Sequence, residues 1–417
     1  MKEKAREINI QNWIEGMAAF NSTPEYGTTR ILFTKPEIAN RNYVKKEMEA
    51  LGLKIKEDAI GNIFATLPGT DPMLAPVWTG SHIDTVPNAG NFDGMAGVVC
   101  GMEALRMIRE SGEAHKRDIC VNVYTSEEPT RYGLSCLGSR AMAGVLSLDD
   151  TKTLFDKDGK SLYTKLKELG YNLDAYEDIP KKQGDVFASV ELHIEQNNHL
   201  EKAECPIGIV KKICAPSNYT VEVTGVQSHA GGTSMEERKD AFAAVCEMGL
   251  FLEKLAWSCK SEYNTATIGT IKVLPGGVNV IPGKAIFSVD VRDCNKDTKD
   301  KLLQELFAGF DDIAAKRGVT YKSHEENNDV PLTCDGKIIE LLEKNCKQKN
   351  LEYQELISGP YHDTLFIGRF VPSAMVFVPS RGGISHSPEE WTDYSQLREG
   401  TEILAQTLLD LSNMTEL

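Results

Sequence analysis

The sequence contains no long apolar run: nothing in its 417 residues approaches the roughly 20 consecutive apolar residues of a membrane-spanning helix. It also contains no CxxC pair, although ten cysteines are scattered between Cys100 and Cys346. Without such pairs, neither a disulfide framework nor a structural zinc knuckle is indicated. We therefore expect no membrane insertion, and we expect reduced thiols at core or surface positions.

Positive charge is scarce as well. The chain has 46 Lys and Arg residues against 61 Asp and Glu residues, which gives a formal net charge of −15 at pH 7. Nucleic acid is therefore not an expected partner, because binding phosphates requires a basic face. The N-terminal segment is charged and lacks the apolar core of a secretory signal, so we expect a cytoplasmic location.

Strand-like and helical patterns alternate along the first half of the chain. A buried strand is predicted over residues 76–86, a helix over 97–112 and a second strand over 118–128. This alternation is typical of an α/β fold whose sheet is mostly parallel and flanked by helices. In such sheets the functional side chains lie at the carboxyl ends of the strands.

From about Lys212 the pattern changes to alternating apolar and polar residues, which is typical of half-buried antiparallel strands. Two helices are predicted in this region, over residues 240–259 and 297–318. The second is predicted to have Asp297 or Thr298 at its start. This region therefore has the composition of a small α+β module.

The length of the chain exceeds that of one ordinary core, so two domains are expected. The sequence predicts a catalytic α/β domain formed by residues 1–211 and 329–417. An α+β domain with an antiparallel sheet, residues 212–328, is inserted into it.

Histidine and acidic side chains are concentrated where the predicted strands end. His82 and Asp84 lie two residues apart, so the Asp84 carboxylate can accept the proton of the His82 ring nitrogen that does not bind a metal. Glu127 and Glu128 close the next apolar run. Taken alone, each pair is more often a turn or a solvated strand end. Their placement at the ends of two strands of one sheet predicts a metal centre.

Three further candidates lie beside apolar strands. Asp93 occurs in a glycine-rich loop, where the alternative is a cap of the following helix. His193 lies on a probable strand, where a histidine is more often a satisfied core residue than a ligand. His386 follows the strand-like run SAMVFV in a glycine loop. Since the chain has only eight histidines, three of them beside carboxylates at strand ends indicate a metal site.

Seven motifs occur in one order along the chain. They are GSHIDTV with Asp93, EE with LGSRAMAG, ELHIEQ, SHAGGTSM, GGVNVIPG with VDVRD, GPYHD, and GISHSPEE. From about Gln11 onward the chain thereby resembles the co-catalytic metal amidohydrolases related to the aminoacylases. Within them it is similar to the ureido-cleaving branch, which includes N-carbamoyl-L-amino-acid hydrolase, beta-ureidopropionase, allantoate amidohydrolase and ureidoglycolate amidohydrolase. His193 favours this branch, because the aminoacylase and peptidase branches generally have a carboxylate there.

The resemblance implies two divalent metal ions, with Mn²⁺ expected and Zn²⁺ or Co²⁺ as alternatives. The family's metal ligands match His82, Asp93, Glu128, His193 and His386. In this scheme Asp93 bridges the two ions, His82 and His193 bind one of them, and the other two residues bind the second. Such a pair of ions lowers the pKa of water and polarises a carbonyl oxygen.

Other positions match catalytic and substrate-binding residues of the family. Glu127 matches the general base, and His229 matches a residue that binds the tetrahedral oxyanion. Asn279 and Arg292 match residues of the inserted domain that bind the substrate when the domains close, commonly across a dimer interface. Without the resemblance, His229 would be interpreted as a turn residue and Arg292 as part of an ion pair on a strand surface.

Two matches fall in the catalytic domain. Gln196 matches a residue that contacts the ureido group, and His362 matches a residue of a loop that borders the pocket. Pro129 and residues 213–217 are closest to the ureidoglycolate amidohydrolases. In contrast, Asn197 departs from the family, which usually has glycine there.

We therefore expect an enzyme that cleaves the ureido C–N bond of a small anionic substrate, such as ureidoglycolate, allantoate or an N-carbamoyl-L-amino acid, and releases ammonia. A homodimer formed through the inserted domain is expected, because exposed antiparallel edges favour pairing. One alternative is an aminoacylase or dipeptidase that acts on an ordinary amide. Another is a relative that binds a metabolite without catalysis.

Overall fold

The structure is a computed structural model that describes residues 2–417, and the chain forms two compact units. Unit 1 comprises residues up to 211 together with 334–356 and 362–417, and unit 2 comprises residues 212–333 and 357–361. Within residues 2–417, no helix combines the length and the apolar character that a membrane crossing requires.

The secondary structure elements alternate along the chain. The helices are α1 Glu7–Ala18, α2 Lys35–Ala50, α3 Met95–Ser111, α4 Leu137–Met142, α5 Leu162–Glu168, α6 His199–Lys202, α7 Ala241–Ser258, α8 Lys296–Arg317, α9 Gly336–Lys349, α10 Thr364–Ile367 and α11 Tyr394–Asn413. The strands are β1 Lys54–Glu57, β2 Ile63–Leu67, β3 Val77–His82, β4 Ile119–Tyr124, β5 Ala188–Ile194, β6 Ile207–Ile213, β7 Ala215–Thr224, β8 Ser228–His229, β9 Asn264–Thr267, β10 Ile271–Leu274, β11 Val280–Ile281, β12 Lys284–Asp293, β13 Thr320–Asn328, β14 Leu332–Thr333, β15 Tyr353–Ser358 and β16 Ser373–Val378.

The strands of unit 1 form a mixed sheet in the order β1-β2-β4-β3-β5-β16-β6, and β15 also pairs with β6. Strands β4, β3, β5 and β16 are parallel to one another, whereas β2 pairs antiparallel with β1 and β4, and β6 pairs antiparallel with β16. The four parallel strands are buried along their whole length, as expected for a parallel sheet covered on both faces. Their carboxyl ends meet at one edge of the sheet.

Helix α3 shows why this part of the chain packs so tightly. It begins at Met95, directly after the glycine-rich loop, and nearly all of its side chains are buried. A Cβ on Gly101 would lie 2.7 Å from Val121 Cγ2, so a glycine there allows the helix to approach the sheet. The first predicted strand and helix are thereby confirmed as β3 and α3.

Unit 2 contains a separate antiparallel sheet in the order β10-β12-β7-β13, with β9 also paired with β12. Strand β12 alternates strictly between buried and half-buried residues, the expected pattern for a sheet with one covered face. Helices α7 and α8 cover that face, and their apolar side chains form one core with those of β7 and β12. The predicted α/β fold with an additional antiparallel sheet is confirmed.

The start of α8 differs from the prediction. The helix begins at Lys296, and its N-cap is Asn295, whose side chain accepts hydrogen bonds from the backbone N–H groups of Asp297 and Thr298 at 2.9 and 3.1 Å. Asp297 and Thr298, the two residues predicted at the start, therefore supply the backbone N–H groups that Asn295 caps. Asn is as effective an N-cap as Asp, so composition alone did not separate the three positions.

Candidate metal centre

The parallel strands bring the candidate ligands together because their carboxyl ends lie side by side. Strand β3 ends at His82, and His193 is the second-to-last residue of β5. The segment after β4 carries Glu127 and Glu128. The segment after β16 carries His386. Four separate parts of the sequence therefore reach one edge of the sheet, as the sequence predicts.

The first group of donor atoms surrounds one oxygen of Asp93. His193 Nε2 lies 3.2 Å and His82 Nε2 lies 3.6 Å from Asp93 Oδ1. All three side chains are buried. They form a group whose donor atoms can share one metal ion.

The second group surrounds the other oxygen of the same carboxylate. His386 Nε2 lies 3.0 Å from Asp93 Oδ2 and 3.3 Å from Glu128 Oε1. These three residues form another group of suitable geometry for one ion. The five side chains thus meet around Asp93, which is placed between the two groups. Asp93 does not cap α3, because the N-cap position is Gly94 and no side chain caps that helix.

The spacing and chemistry of the donors fit divalent ions. Metal bonds of about 2.0–2.2 Å to imidazole and carboxylate place neighbouring ligand atoms about 3 to 3.5 Å apart. The four contacts to and beside Asp93, at 3.0 to 3.6 Å, lie within or next to that range. Mixed nitrogen and oxygen donors suit divalent ions of the manganese to zinc series.

Charge at the cluster supports the same conclusion. Although burial opposes ionisation, the surrounding imidazoles of His193, His386 and His82 hold the pKa of Asp93 well below its ordinary value. Hydrogen bonds to Asp93 and Glu128 raise the pKa of His386 to about 11. Protons and a divalent cation compete for these nitrogen atoms, so cation binding would release protons from the cluster.

Asp84 has a different role from the one predicted. The nearest acceptor to His82 Nδ1 is the backbone carbonyl oxygen of Asp84 at 3.1 Å, whereas the carboxylate Oδ1 lies at 3.6 Å. The carboxylate accepts hydrogen bonds from the backbone N–H groups of Glu127 at 3.2 Å and Glu128 at 3.1 Å. The expectation that the Asp84 carboxylate would be the acceptor for His82 was therefore wrong, because its Oδ1 lies beyond hydrogen-bond distance from Nδ1.

His193 is oriented in the same way as His82. Its Nδ1 lies 2.9 Å from the carbonyl oxygen of Ile194, which leaves Nε2 directed at Asp93. A backbone acceptor on one ring nitrogen fixes both the tautomer and the direction of the other nitrogen. The backbone N–H of Gly94 also donates to Nε2 at 3.1 Å, so both ring nitrogens have partners in the protein while Nε2 faces the cluster.

Glu127 belongs to neither group of donors. Its Oε2 lies 4.0 Å from His82 Nε2, and its side chain is almost fully buried. Burial raises the pKa of Glu127 well above its ordinary value, and the nearby Glu128 and Asp363 carboxyl groups add to this effect against the opposing charge of His82. A carboxyl group with a raised pKa beside the cluster is suited to accept and return a proton.

Two predicted residues of unit 1 lie against the cluster. Gln196 donates from Nε2 to Asp93 Oδ2 at 3.0 Å, and its buried Oε1 has no partner among residues 2–417. The His362 ring lies 4.5 Å from that of His193, and burial with the charge of His193 holds the pKa of His362 well below its ordinary value. A neutral imidazole and an unpaired amide oxygen are both able to contact a polar ligand.

The remaining predicted residues lie in unit 2. His229 pairs with Val280 across strands β8 and β11, and the backbone N–H of Ala230 donates to the carbonyl of Asn279 at 2.9 Å, so the exposed His229 and Asn279 lie side by side. Arg292 forms a bidentate pair with Asp290, at 2.9 and 3.1 Å. This is the strand-surface ion pair that the sequence left as the alternative for Arg292.

Glycines make room for the cluster at two positions. A Cβ on Gly94, where φ is 70°, would lie 2.4 Å from His82 Nε2. A Cβ on Gly90 would lie 2.4 Å from Glu390 Oε1. The glycines of this loop therefore allow His82 and Glu390 to lie against the backbone, in addition to allowing the chain to turn.

Sequence reasoning missed two buried carboxylates. Glu191 accepts hydrogen bonds from Ser81 Oγ at 2.8 Å and from Thr364 Oγ1 at 2.6 Å, and so connects β5 to the segments beside His82 and His362. Glu390 contacts the loops that carry Asp93 and His386. A glutamate inside the apolar run ASVELHI is the kind of signal that indicates a partnered buried charge.

Comparison with known proteins gives consistent results. The chain is 39% identical over 407 residues to the ureidoglycolate hydrolase of Oryza sativa subsp. japonica, covering 97% of this chain and 84% of the relative. It is 35% identical over 408 residues to the allantoate amidohydrolase of Bacillus subtilis, covering 97% of each. Crystal structures of AtUAH in complex with glyoxylate and with (S)-hydroxyglycine superpose with TM-scores of 0.88, at 36% and 35% identity and 98% coverage of both chains.

The family model described as peptidase family M20/M25/M40 matches residues 78–410, a range that includes all five residues of the cluster. Together with the identities above, this match covers most of the chain. The chain belongs to peptidase family M20/M25/M40.

Proposed function

We propose that the chain is a metal-dependent amidohydrolase that cleaves the ureido C–N bond of a small carboxylate, and that ureidoglycolate is its substrate. The observation that carries the proposal is the convergence of five ligand-type side chains around Asp93, with the Glu127 carboxyl group left beside them. The rice relative, which is named a ureidoglycolate hydrolase, has higher identity than the Bacillus subtilis allantoate enzyme. Residue Pro129 and the segment 213–217 support the same substrate.

We propose that His82, Asp93, Glu128, His193 and His386 hold two divalent ions, with Mn²⁺ as the native metal. When bound, the ions supply the positive charge that polarises the substrate carbonyl and lowers the pKa of water. Glu127 takes a proton from the attacking water and gives it to the leaving nitrogen. Water adds to the ureido carbon, the C–N bond breaks and ammonia leaves. With ureidoglycolate as substrate, the carbamate that remains then loses carbon dioxide and gives hydroxyglycine.

We further propose that unit 2 acts as a lid and forms a homodimer. The exposed positions of His229 and Asn279 allow both to contact a substrate, and Arg292 can exchange Asp290 for a substrate carboxylate in bidentate geometry. The exposed apolar side chains Trp257 and Leu250 support association through this unit. Sedimentation analysis that finds only a monomer at micromolar concentration would contradict the dimer.

A substrate panel tests the activity. Purified protein with added Mn²⁺ is assayed for ammonia from ureidoglycolate, allantoate, N-carbamoyl-L-amino acids and an N-acetyl amino acid. Ureidoglycolate is expected to have the highest kcat/KM, and the N-acetyl compound is expected to release no ammonia, because cleavage of its amide yields an amine. If the N-acetyl compound is cleaved in preference to the ureido compounds, as measured by the amine released, the protein is an aminoacylase instead. Two bound ions without turnover of any compound would show a binding protein.

A further inference from the structure

Glu390 is a buried carboxylate that the proposed reaction does not use. It follows His386 in the same loop and is 3% exposed. Its Oε1 accepts hydrogen bonds from the backbone N–H groups of Phe92 at 2.8 Å and Asp93 at 3.1 Å. Its Oε2 accepts a hydrogen bond from Ser385 Oγ at 2.8 Å. One carboxylate thus joins the loop of Asp93 to the loop of His386.

His386 is the candidate ligand that most needs support. Its side chain is 50% exposed, whereas those of His82, Asp93, Glu128 and His193 are at most 6% exposed. Its backbone has a φ of 54°, a left-handed conformation that a residue other than glycine keeps only when its surroundings impose it. Packing alone therefore holds His386 less firmly than the four other residues.

Ser385 extends the link from Glu390 to the cluster. Its hydroxyl group lies 3.4 Å from Asp93 Oδ2 and 3.3 Å from Gln196 Nε2, which itself donates to Asp93. Gly90 allows Glu390 to come this close, because a side chain at that position would overlap the carboxylate. These hydrogen bonds connect Glu390 through Ser385 to Asp93, the residue that both donor groups share.

We infer that Glu390 is a positioning residue that sets His386 against Asp93 and Glu128 and so determines the affinity of the second cation. The inference rests on the proposed metal-dependent function. It predicts that loss of the Glu390 contacts weakens the His386 half of the cluster more than the half formed by His82 and His193, because only the His386 half also loses the link through Ser385. A purely structural role would lower thermal stability without separating the two cations.

Manganese binding by metal-stripped full-length protein tests the inference, with free Mn²⁺ counted by electron paramagnetic resonance. Glu390→Ala is expected to weaken one of two Mn²⁺ sites by about 10- to 100-fold, as is typical for partners of metal ligands. It is also expected to lower kcat at limiting Mn²⁺ more than at saturating Mn²⁺. Ser385→Ala, which removes one link, is expected to give a smaller loss at the same site. Glu390→Gln is expected to retain most of the affinity, because its amide oxygen can accept from the two N–H groups while its amide nitrogen donates to Ser385.

The exposed neighbour Glu389 provides the matched control, since Glu389→Ala removes the same charge one residue away and is expected to bind Mn²⁺ as the wild type does. The inference would be overturned if folded Glu390→Ala bound Mn²⁺ as tightly as the wild type. It would also be overturned if Glu389→Ala lost as much Mn²⁺ affinity as Glu390→Ala. If Glu390→Ala does not fold, unchanged binding by Ser385→Ala overturns it. A wild type that binds two Mn²⁺ but cleaves no ureido acid would refute the proposed function while leaving the inference supported by the variants.

Discussion

Glu127 differs from the carboxylates around it in what its oxygens contact. Asp93 and Glu128 face the histidines of the cluster, and the Asp84 carboxylate accepts backbone hydrogen bonds. Glu127 Oε2 has its nearest imidazole nitrogen, on His82, only at 4.0 Å. The position of Glu127 outside the two donor groups therefore rests on distances to imidazole nitrogen that differ by less than 1 Å.

Replacing Glu127 by Gln tests this distinction. We expect kcat to fall by about 10²- to 10⁴-fold, because the amide cannot take a proton from water. Metal content, measured by atomic emission, is expected to equal that of the wild type because Glu127 lies outside both donor groups.

The control for this experiment is Glu128→Gln, which alters a donor of the second group and is expected to lower metal content as well as rate. Full activity of Glu127→Gln would refute the assignment of the base. Metal loss in Glu127→Gln equal to that in Glu128→Gln would place Glu127 among the ligands.

At the scale of elements, α2 depends on a buried ion pair. Glu37 and Arg41 are one turn apart and are 0% and 3% exposed. Glu37 accepts hydrogen bonds from Arg41 Nε and from the backbone N–H of Phe33 at 3.0 Å, while Arg41 also donates to Thr125 Oγ1 at 3.3 Å. Since Thr125 directly follows β4, the pair connects α2 to the segment that carries Glu127.

Glu37→Ala is expected to lower the free energy of unfolding by about 3–5 kcal/mol, because it leaves the Arg41 charge buried without its partner. Chemical denaturation followed by circular dichroism measures the change. The exposed Glu49 on the same helix serves as control, and Glu49→Ala is expected to change the free energy by less than about 0.5 kcal/mol. Equal stability of the two variants would show that the ion pair contributes nothing.

At the scale of the whole molecule, the five candidate ligands belong to one unit only. Residues 82, 93, 128, 193 and 386 all lie in unit 1, and the core of unit 2 is formed by β7, β12, α7 and α8. A ligand that binds the native state stabilises it, by about 2.7 kcal/mol at a concentration of 100 times Kd. This stabilisation should therefore be confined to unit 1.

Removal of metal by EDTA is expected to increase amide hydrogen exchange in residues 83–95, 125–128 and 379–390 of unit 1 and to leave exchange in β7 and β12 unchanged. Mass spectrometry of peptides measures both in one experiment, and re-addition of Mn²⁺ is the control for reversal. Exchange that does not respond to EDTA in the three loops would contradict a metal centre at this position.

Local patterns in the sequence predicted the fold class and placed His82 and Glu127 at strand ends, whereas the full set of five candidate ligands came from motifs shared with the metal amidohydrolases. Apolar runs that end in His82 or precede Glu127 place polar groups at strand ends, and parallel strands bring such ends to one edge. The placement of polar groups at strand ends needs only local pattern and strand direction, but the choice of ligands among them does not follow from these. The same reasoning could not find Glu390 or the acceptor of His82 Nδ1.

These contacts depend on how the chain packs, because they join segments far apart in the sequence. Glu390 bonds to Asp93, 297 residues earlier, and the Asp84 carboxylate turns to backbone N–H groups that come close only when β3 and β4 pair. A buried carboxylate takes whichever donors lack another partner, and which donors those are is known only once the chain is packed. Residue type and spacing therefore determine which groups are available at the site, and packing determines which of them bind one another.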